Sequence, residues 1–275
     1  MPVTVAVHQF APTEDKAANL RALTAGVAEA AASGAELVVC PENAMFSPPD
    51  SRTDLAPIAE PLDGPFVTAL RDAALRHGVA VVAGLTEAIP GQDRVHNTVV
   101  AVSAAGELLT AYRKLHLYDA FGYRESDAVA PGDIEQPAVF RLGDVTFGVQ
   151  TCYDLRFPET TRRLVDAGAQ AVLVPAAWVA GPLKEEHWAT LLAARAIENT
   201  IYVVGCGQTP PVCIGRSAIL DPLGVVVASA GGRPGTIAGT IDPAWIAEVR
   251  QRVPVLTGRR FSVEPIEAAP APDIP

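Results

Sequence analysis

The chain has 275 residues, 49% of them hydrophobic and 19% charged, with a formal net charge of −10. That apolar content supports a sizeable core and excludes general disorder. The acidic balance argues against nucleic acid or an anionic membrane as a partner, and no apolar run approaches the length of a membrane span. Met1-Pro2-Val3 leads straight into a strand pattern, with no basic start and apolar stretch, so no secretory signal is expected. The cysteines stand at 40, 152, 206 and 213, and no two have Cys-x-x-Cys spacing. A zinc ribbon or redox dithiol is therefore not expected, and a reduced, cytoplasmic chain is.

In chain order, Val3 to Gln9 reads as a buried strand, Lys16 to Ala32 as an Ala-rich helix stopped by Gly34, and Glu36 to Cys40 as a second strand. Phe66 to His77 predicts a helix ended by Gly78, followed by strands at Val79–Gly84 and Asn97–Ser103. Tyr112 to Gly132 is long, polar and aromatic with weak periodicity, which predicts a functional loop. The second half repeats the rhythm: strand Val145–Gln150, helix Glu159–Ala167, strand Ala171–Val174, helix Leu183–Glu198, strand Ile201–Cys206. Three strand-like runs follow at Ser217–Leu220, Val225–Ala228 and Thr236–Ile241, and Gly231 to Gly235 reads as a turn rather than a phosphate loop. A single domain is expected over 1–262, with a Pro/Ala-rich tail over 263–275.

Gly34-Ala-Glu-Leu-Val-Val-Cys-Pro41 matches Gly168-Ala-Gln-Ala-Val-Leu-Val-Pro175 position for position, and Val3-Thr-Val-Ala-Val matches Val145-Thr-Phe-Gly-Val. A β–α–β unit used twice would give two sheets, each with its own helices. Packed face to face they make a four-layer α-β-β-α sandwich with internal pseudo-two-fold symmetry.

Active groups in α/β folds collect at the carboxyl ends of strands. Cys152 follows such a strand in Val145-Thr-Phe-Gly-Val-Gln-Thr-Cys152-Tyr-Asp-Leu-Arg-Phe-Pro-Glu159, and Pro158 is suited to open a helix. A thiol fixed at a strand end beside free backbone N–H groups suits a nucleophile; a buried core cysteine is the plain alternative. Glu42, after Val39-Cys40-Pro41, reads either as a general base or as a capping or surface carboxylate. Lys114, in Tyr112-Arg-Lys-Leu-His-Leu-Tyr-Asp119, reads either as an oxyanion holder or as part of a basic surface loop. Glu125 could pair with Lys114 or Arg124. His116 is given a structural place, and Asp154, Arg156 and Glu159 are expected to form a salt-bridged turn after the thiol. Trp178 follows a strand end, where it could line a pocket or simply pack. The five histidines show no metal-ligand spacing.

Pro41-Glu42, Tyr112-Arg-Lys114-Leu-His-Leu and Cys152-Tyr-Asp-Leu-Arg-Phe-Pro-Glu together resemble the Glu-Lys-Cys signature of the nitrilase, or carbon–nitrogen hydrolase, superfamily. Ala6-Val-His-Gln9, His187-Trp188, Arg195-Ala-Ile-Glu-Asn199 and Gly215 to Gly224 extend the likeness to about residue 245. The resemblance implies the α-β-β-α sandwich and a homodimer or larger homo-oligomer. It implies Glu42 as base, Lys114 as oxyanion stabiliser, Cys152 as nucleophile and Glu125 as the positioning second glutamate. It implies no metal or organic cofactor. Tyr118, Tyr153 and Trp178 are the expected substrate-binding residues, with the Tyr153 N–H as second oxyanion donor.

The sequence after Cys152 looks like the amidase branch that includes omega-amidases and deaminated-glutathione amidases. A small-molecule carboxamide, cleaved to acid and ammonia through a thioester, is the expected substrate. Nitrilase, carbamoyl-amide hydrolase and acyl transferase are the alternatives inside the superfamily; a non-catalytic scaffold is the alternative outside catalysis. Gln150-Thr151 before the thiol and Phe46-Ser-Pro-Pro-Asp-Ser-Arg-Thr53 depart from the branch pattern and leave the substrate open.

Overall fold

The computed structural model describes residues 1–48, 53–134 and 136–266. The chain runs β1 (Val3–Gln9), α1 (Lys16–Ala32), β2 (Leu37–Val39), α2 (Pro65–His77), β3 (Ala80–Ala88), β4 (Val95–Val102), β5 (Leu108–Arg113), β6 (Asp119–Ala120) and β7 (Tyr123–Arg124). It continues with β8 (Val139–Leu142), β9 (Val145–Val149), α3 (Pro158–Asp166), β10 (Ala171–Ala176), α4 (Lys184–Asn199), β11 (Tyr202–Gly207), β12 (Ala218–Leu220), β13 (Val226–Ser229), β14 (Gly235–Ile241) and α5 (Pro243–Arg252). No helix among the described residues is long and apolar enough to cross a membrane.

Local chemistry sets the helix ends. The Asp15 side chain accepts from the Ala18 N–H to open α1, and Pro65, Pro158 and Pro243 occupy first-turn positions of α2, α3 and α5. Gly78 closes α2 in the left-handed region, with φ 63°.

Among the described residues, twelve strands form two six-stranded sheets of identical plan, and β6 and β7 pair separately. One runs β14-β1-β2-β3-β4-β5 and the other β8-β9-β10-β11-β12-β13. In each, three parallel strands are flanked by one antiparallel strand on one side and two on the other. The duplicated plan read from the sequence is thus present strand for strand.

Alternation along the strands builds the layers. Val5, Val7, Leu37 and Val39 of the first sheet share one apolar cluster with Phe147, Val149, Leu173 and Val204 of the second. The intervening residues face outward. Val38 and Val81 pack with Leu23 and Val27 of α1 and Leu70 of α2. Val172 and Val174 pack with Leu164 of α3 and Leu192 of α4. The order helix, sheet, sheet, helix follows, and both faces of the parallel strands are covered, which is why they read as continuous apolar runs.

Three elements depart from the expected pattern. β5 and β8 lie at sheet margins, and α5 buries only Ile246 and Val249. The segment expected as a loop from Tyr112 begins as the end of β5, then folds into the β6–β7 hairpin and a 3₁₀ turn at Glu125–Asp127. Residues 259–266 carry no helix or strand, and most are exposed. The rest of the expected tail, 267–275, lies outside the described residues, as do 49–52 of the distinctive segment after Glu42.

Candidate active site

Glu42 sits on the corner after β2. The corner is pinned to β3, where Gly84 N–H donates to Pro41 O at 3.1 Å and Met45 N–H to Gly84 O at 3.2 Å. A Cβ on Gly84 would lie 2.6 Å from Asn43 N and 2.8 Å from Glu42 Cα, so the corner can lie this close only to glycine. The Glu42 carboxylate is 2% exposed. Its Oε1 accepts from Asn97 Nδ2 at 2.7 Å and Lys114 Nζ at 3.0 Å, and its Oε2 accepts from the Ala177 N–H, beyond β10 of the other sheet, at 2.6 Å. Gln208 Nε2 holds the Glu42 carbonyl at 2.9 Å.

Lys114 directly follows β5, and its N–H continues the ladder to Asn97 O at 2.9 Å. Its ammonium also reaches Glu125 Oε1 at 3.1 Å and Oε2 at 2.8 Å. Burial acts to lower the Lys114 pKa, but the carboxylates of Glu125 and Glu42 together outweigh it and hold the pKa well above the ordinary value. Glu125 accepts further from Asn97 Nδ2 at 3.0 Å and from the Tyr118 N–H at 2.7 Å. Of the two partners expected for Glu125, Lys114 is therefore the one it has; Arg124 lies instead near Asp127 at 3.8 Å.

Cys152 opens a 3₁₀ turn, Cys152–Arg156, with φ 46°, a left-handed backbone that side chains other than glycine adopt at a cost. Asp154 locks this turn through a capping box with Thr151. Its fully buried carboxylate also accepts from Tyr112 Oη at 2.7 Å and from His116 N–H at 3.1 Å, and His116 Nδ1 lies 2.7 Å away. The His116 ring stacks on Phe157, which gives it the structural place expected of it.

The expected salt-bridged turn is corrected. Asp154 is taken up by Thr151, Tyr112 and His116, Glu159 is exposed, and the Arg156 guanidinium lies 4.8 Å from the Trp178 ring centroid, facing the cavity.

Burial pushes the Cys152 thiol well above its ordinary pKa. The Glu42 charge and a hydrogen bond to that carboxylate add to the shift, and the Lys114 ammonium opposes it without prevailing. The resting group is a protonated thiol beside a carboxylate.

Glu42, Lys114, Glu125 and Cys152 all line one cavity of about 400 Å³, and Tyr118, Tyr153 and Trp178 line it too. Every site residue expected from the sequence is thus brought to one place. Sequence reading missed Asn97, the Ala177 N–H and Lys184. Asn97 carried no local signal, because it stands among polar neighbours in Val95-His-Asn-Thr-Val-Val. Lys184 opens α4, is 6% exposed and lines the cavity. Its Nζ meets Tyr118 Oη at 3.2 Å and lies 4.2 Å from the Phe121 ring centroid. Burial and the charge of Arg156 lower its pKa. Among the described residues, neither Lys184 nor Arg156 forms an ion pair with a carboxylate. No cluster of His, Cys, Asp or Glu among the described residues is arranged to hold a metal ion.

A buried thiol, a carboxylate and an ammonium at the strand ends of a doubled α/β sandwich define a class of hydrolases that cleave non-peptide carbon–nitrogen bonds. The carbon-nitrogen hydrolase family model matches residues 4–251, and the chain belongs to that family. It is 40% identical over 260 residues to the deaminated glutathione amidase of Escherichia coli O157:H7, covering 94% of this chain and 97% of the relative. It is 32% identical over 273 residues to the omega-amidase NIT2-A of Xenopus laevis, covering 94% and 95%. Among solved structures, a glutamate-to-glutamine mutant of the amidase from Nesterenkonia sp. AN1 superposes with a TM-score of 0.79 at 28% identity, covering 91% of this chain and 96% of that one. In that structure the acetamide moiety of fluoroacetamide is added covalently at the active site cysteine. The present chain is an amidase of this family.

Proposed function

We propose that Cys152 is the nucleophile, Glu42 the general base and acid, Lys114 the oxyanion stabiliser and Glu125 the group that positions Lys114. The observation that supports this most is the convergence of these four side chains, from both sheets, on one cavity. Glu42 takes the thiol proton as the sulfur attacks the amide carbonyl, and the carbonyl π electrons move to oxygen. Lys114 Nζ and the Tyr153 N–H receive that oxyanion; the first N–H groups of a helical turn have no intrahelical partner. The proton on Glu42 passes to the leaving nitrogen, the C–N bond breaks and a thioester remains. Water then gives a proton to Glu42 and attacks the thioester. The acid departs, and the thiol recovers its proton.

The substrate we infer is a small amide that also carries a carboxylate. Arg156 and Lys184 support this, as cavity cations that pair with no carboxylate among the described residues, and so do relatives named for deaminated glutathione and for omega-amides. Tyr118, Tyr153 and Trp178 give the same cavity its aromatic walls.

A screen of acid-bearing and neutral amides for ammonia release tests both readings. Acid-bearing amides should be preferred, and Arg156→Gln or Lys184→Met should raise KM for them by roughly ten- to a hundredfold, the scale of one charge-assisted hydrogen bond, with little change for neutral amides. Equal losses on both substrate sets would reject the anionic-substrate reading. Cys152→Ala with normal turnover would reject the nucleophile.

We also infer a reduced, cytoplasmic setting, supported by cysteines that are all free and buried. A single domain over 1–262 is supported by a family match that spans both sheets. A homodimer or larger assembly is supported by the exposed row Val225, Val226 and Val227 on and beside edge strand β13, and sedimentation velocity would test it.

A further inference from the structure

Asn97 and Lys114 donate to the same two carboxylates. Asn97 Nδ2 lies 2.7 Å from Glu42 Oε1 and 3.0 Å from Glu125 Oε1, while Lys114 Nζ lies 3.0 Å and 3.1 Å from those same atoms. The result is a closed ring of two donors and two acceptors. The Asn97 side chain gives both of its N–H groups to this ring, and its Oδ1 is buried with no partner. An orphaned buried acceptor is uncommon and calls for a reason. Here the amide must face this way, because the reverse orientation would set its oxygen against two carboxylates.

A carboxylate oxygen offers about two acceptor sites. Both sites on Glu42 Oε1 are filled by the ring. Glu42 Oε2 accepts from the Ala177 N–H and has one site left. We infer that Asn97 is a positioning residue that closes Glu42 Oε1 to protons and reserves Oε2 for the proton of the attacking thiol. The inference rests on the reading of Glu42 as base. A neutral amide suits the task better than a second ammonium, since it donates to both carboxylates without changing the charge of the cluster. The titratable groups that face Glu42 are Lys114 from the end of β5, Glu125 from its 3₁₀ turn, Cys152 from the turn after β9 and Cys213 from the loop before β12.

The test is the acid limb of kcat/KM in Asn97→Ala and Asn97→Ser, measured on one amide with the full chain. Loss of a donor to the ionised carboxylate favours its protonated form, so the limb should move to higher pH. The shift should be roughly one pH unit in the Ala variant, the scale of one charge-assisted hydrogen bond, and smaller in the Ser variant, which keeps one hydroxyl donor. Should Asn97→Ala fail to fold, Asn97→Ser carries the same reading. A limb that stays at the wild-type pH, however far kcat falls, overturns the inference, because a merely structural role would lower activity without moving it. Glu42→Gln separates the two levels: if that variant turns over normally, the base reading fails; if it is inactive while the Asn97 limb is unmoved, the Asn97 inference fails alone.

Discussion

Cys152 must hold its sulfur over the cavity from a left-handed backbone, φ 46°, that L residues adopt at a cost of roughly 1–2 kcal/mol. That cost is independent of the thiol chemistry, so it can be measured after the chemistry is removed. Cys152→Ala and Cys152→Gly should both be inactive, yet the Gly variant should be more stable by about 1 kcal/mol, because glycine occupies this region freely. Equal melting temperatures for the two would mean the backbone relaxes once the sulfur is gone. The same residue is where the proposed base would act. Burial, the Glu42 charge and their hydrogen bond favour the protonated thiol, which agrees with the proposed transfer of its proton to Glu42 during attack.

The extended segment that leaves β5 carries Tyr112, Lys114 and His116 at alternate positions. Lys114 meets the two glutamates, while Tyr112 and His116 both hold Asp154, two residues past the thiol. This strand-like spacing ties the ammonium to the turn that bears the sulfur. Burial and the Asp154 charge push the Tyr112 hydroxyl well above its ordinary pKa, so it remains a donor. Tyr112→Phe should cost about 1.5–3 kcal/mol, the worth of a hydrogen bond to a charged group. It should also lower kcat more than it changes KM; denaturant unfolding and steady-state kinetics would check both.

What the sequence disclosed follows the same logic. Glu42 and Cys152 were legible because each follows the end of an apolar strand, Lys114 through the resemblance carried by Tyr112-Arg-Lys-Leu-His-Leu, and the Gly34–Pro41 and Gly168–Pro175 echo exposed the doubled sheet. Asn97 was not legible, because its role depends on the pairing that sets Lys114 N–H on Asn97 O, which no local pattern encodes. Arg156 was misplaced because nearness in sequence to Asp154 suggested a pair, whereas the 3₁₀ turn points the two side chains to different neighbours. β5 escaped because its residues are half-buried with no clean alternation, and α5 because only Ile246 and Val249 mark its inner face.

The molecule as a whole keeps its thiols dry. Burial raises the pKa of Cys40 and of Cys213 to about 12, and the pKa of Cys206 well above the ordinary value. An unfolded chain ionises its thiols near about pH 8.5. A raised folded-state pKa contributes stability that is complete below the unfolded value and is lost as pH climbs toward the folded one. The protein should therefore lose stability between about pH 9 and 11, by about 1.4 kcal/mol per pH unit for each such thiol. In Cys40→Ala that alkaline decline should be shallower than in the wild type, whatever its starting stability. Melting curves across this window would decide it, and identical slopes would contradict the account.

The first sheet is closed by a strand from the far end of the chain: β14 pairs with β1 along its whole length, from Val3 with Ile241 to Gln9 with Gly235. On a ribosome β1 emerges long before its partner, which appears only after everything between them has been made. At the usual pace of translation that delay is on the order of ten to fifty seconds. Throughout that interval the nascent polypeptide displays an unsealed β edge, the kind of surface on which strands of neighbouring copies can pair.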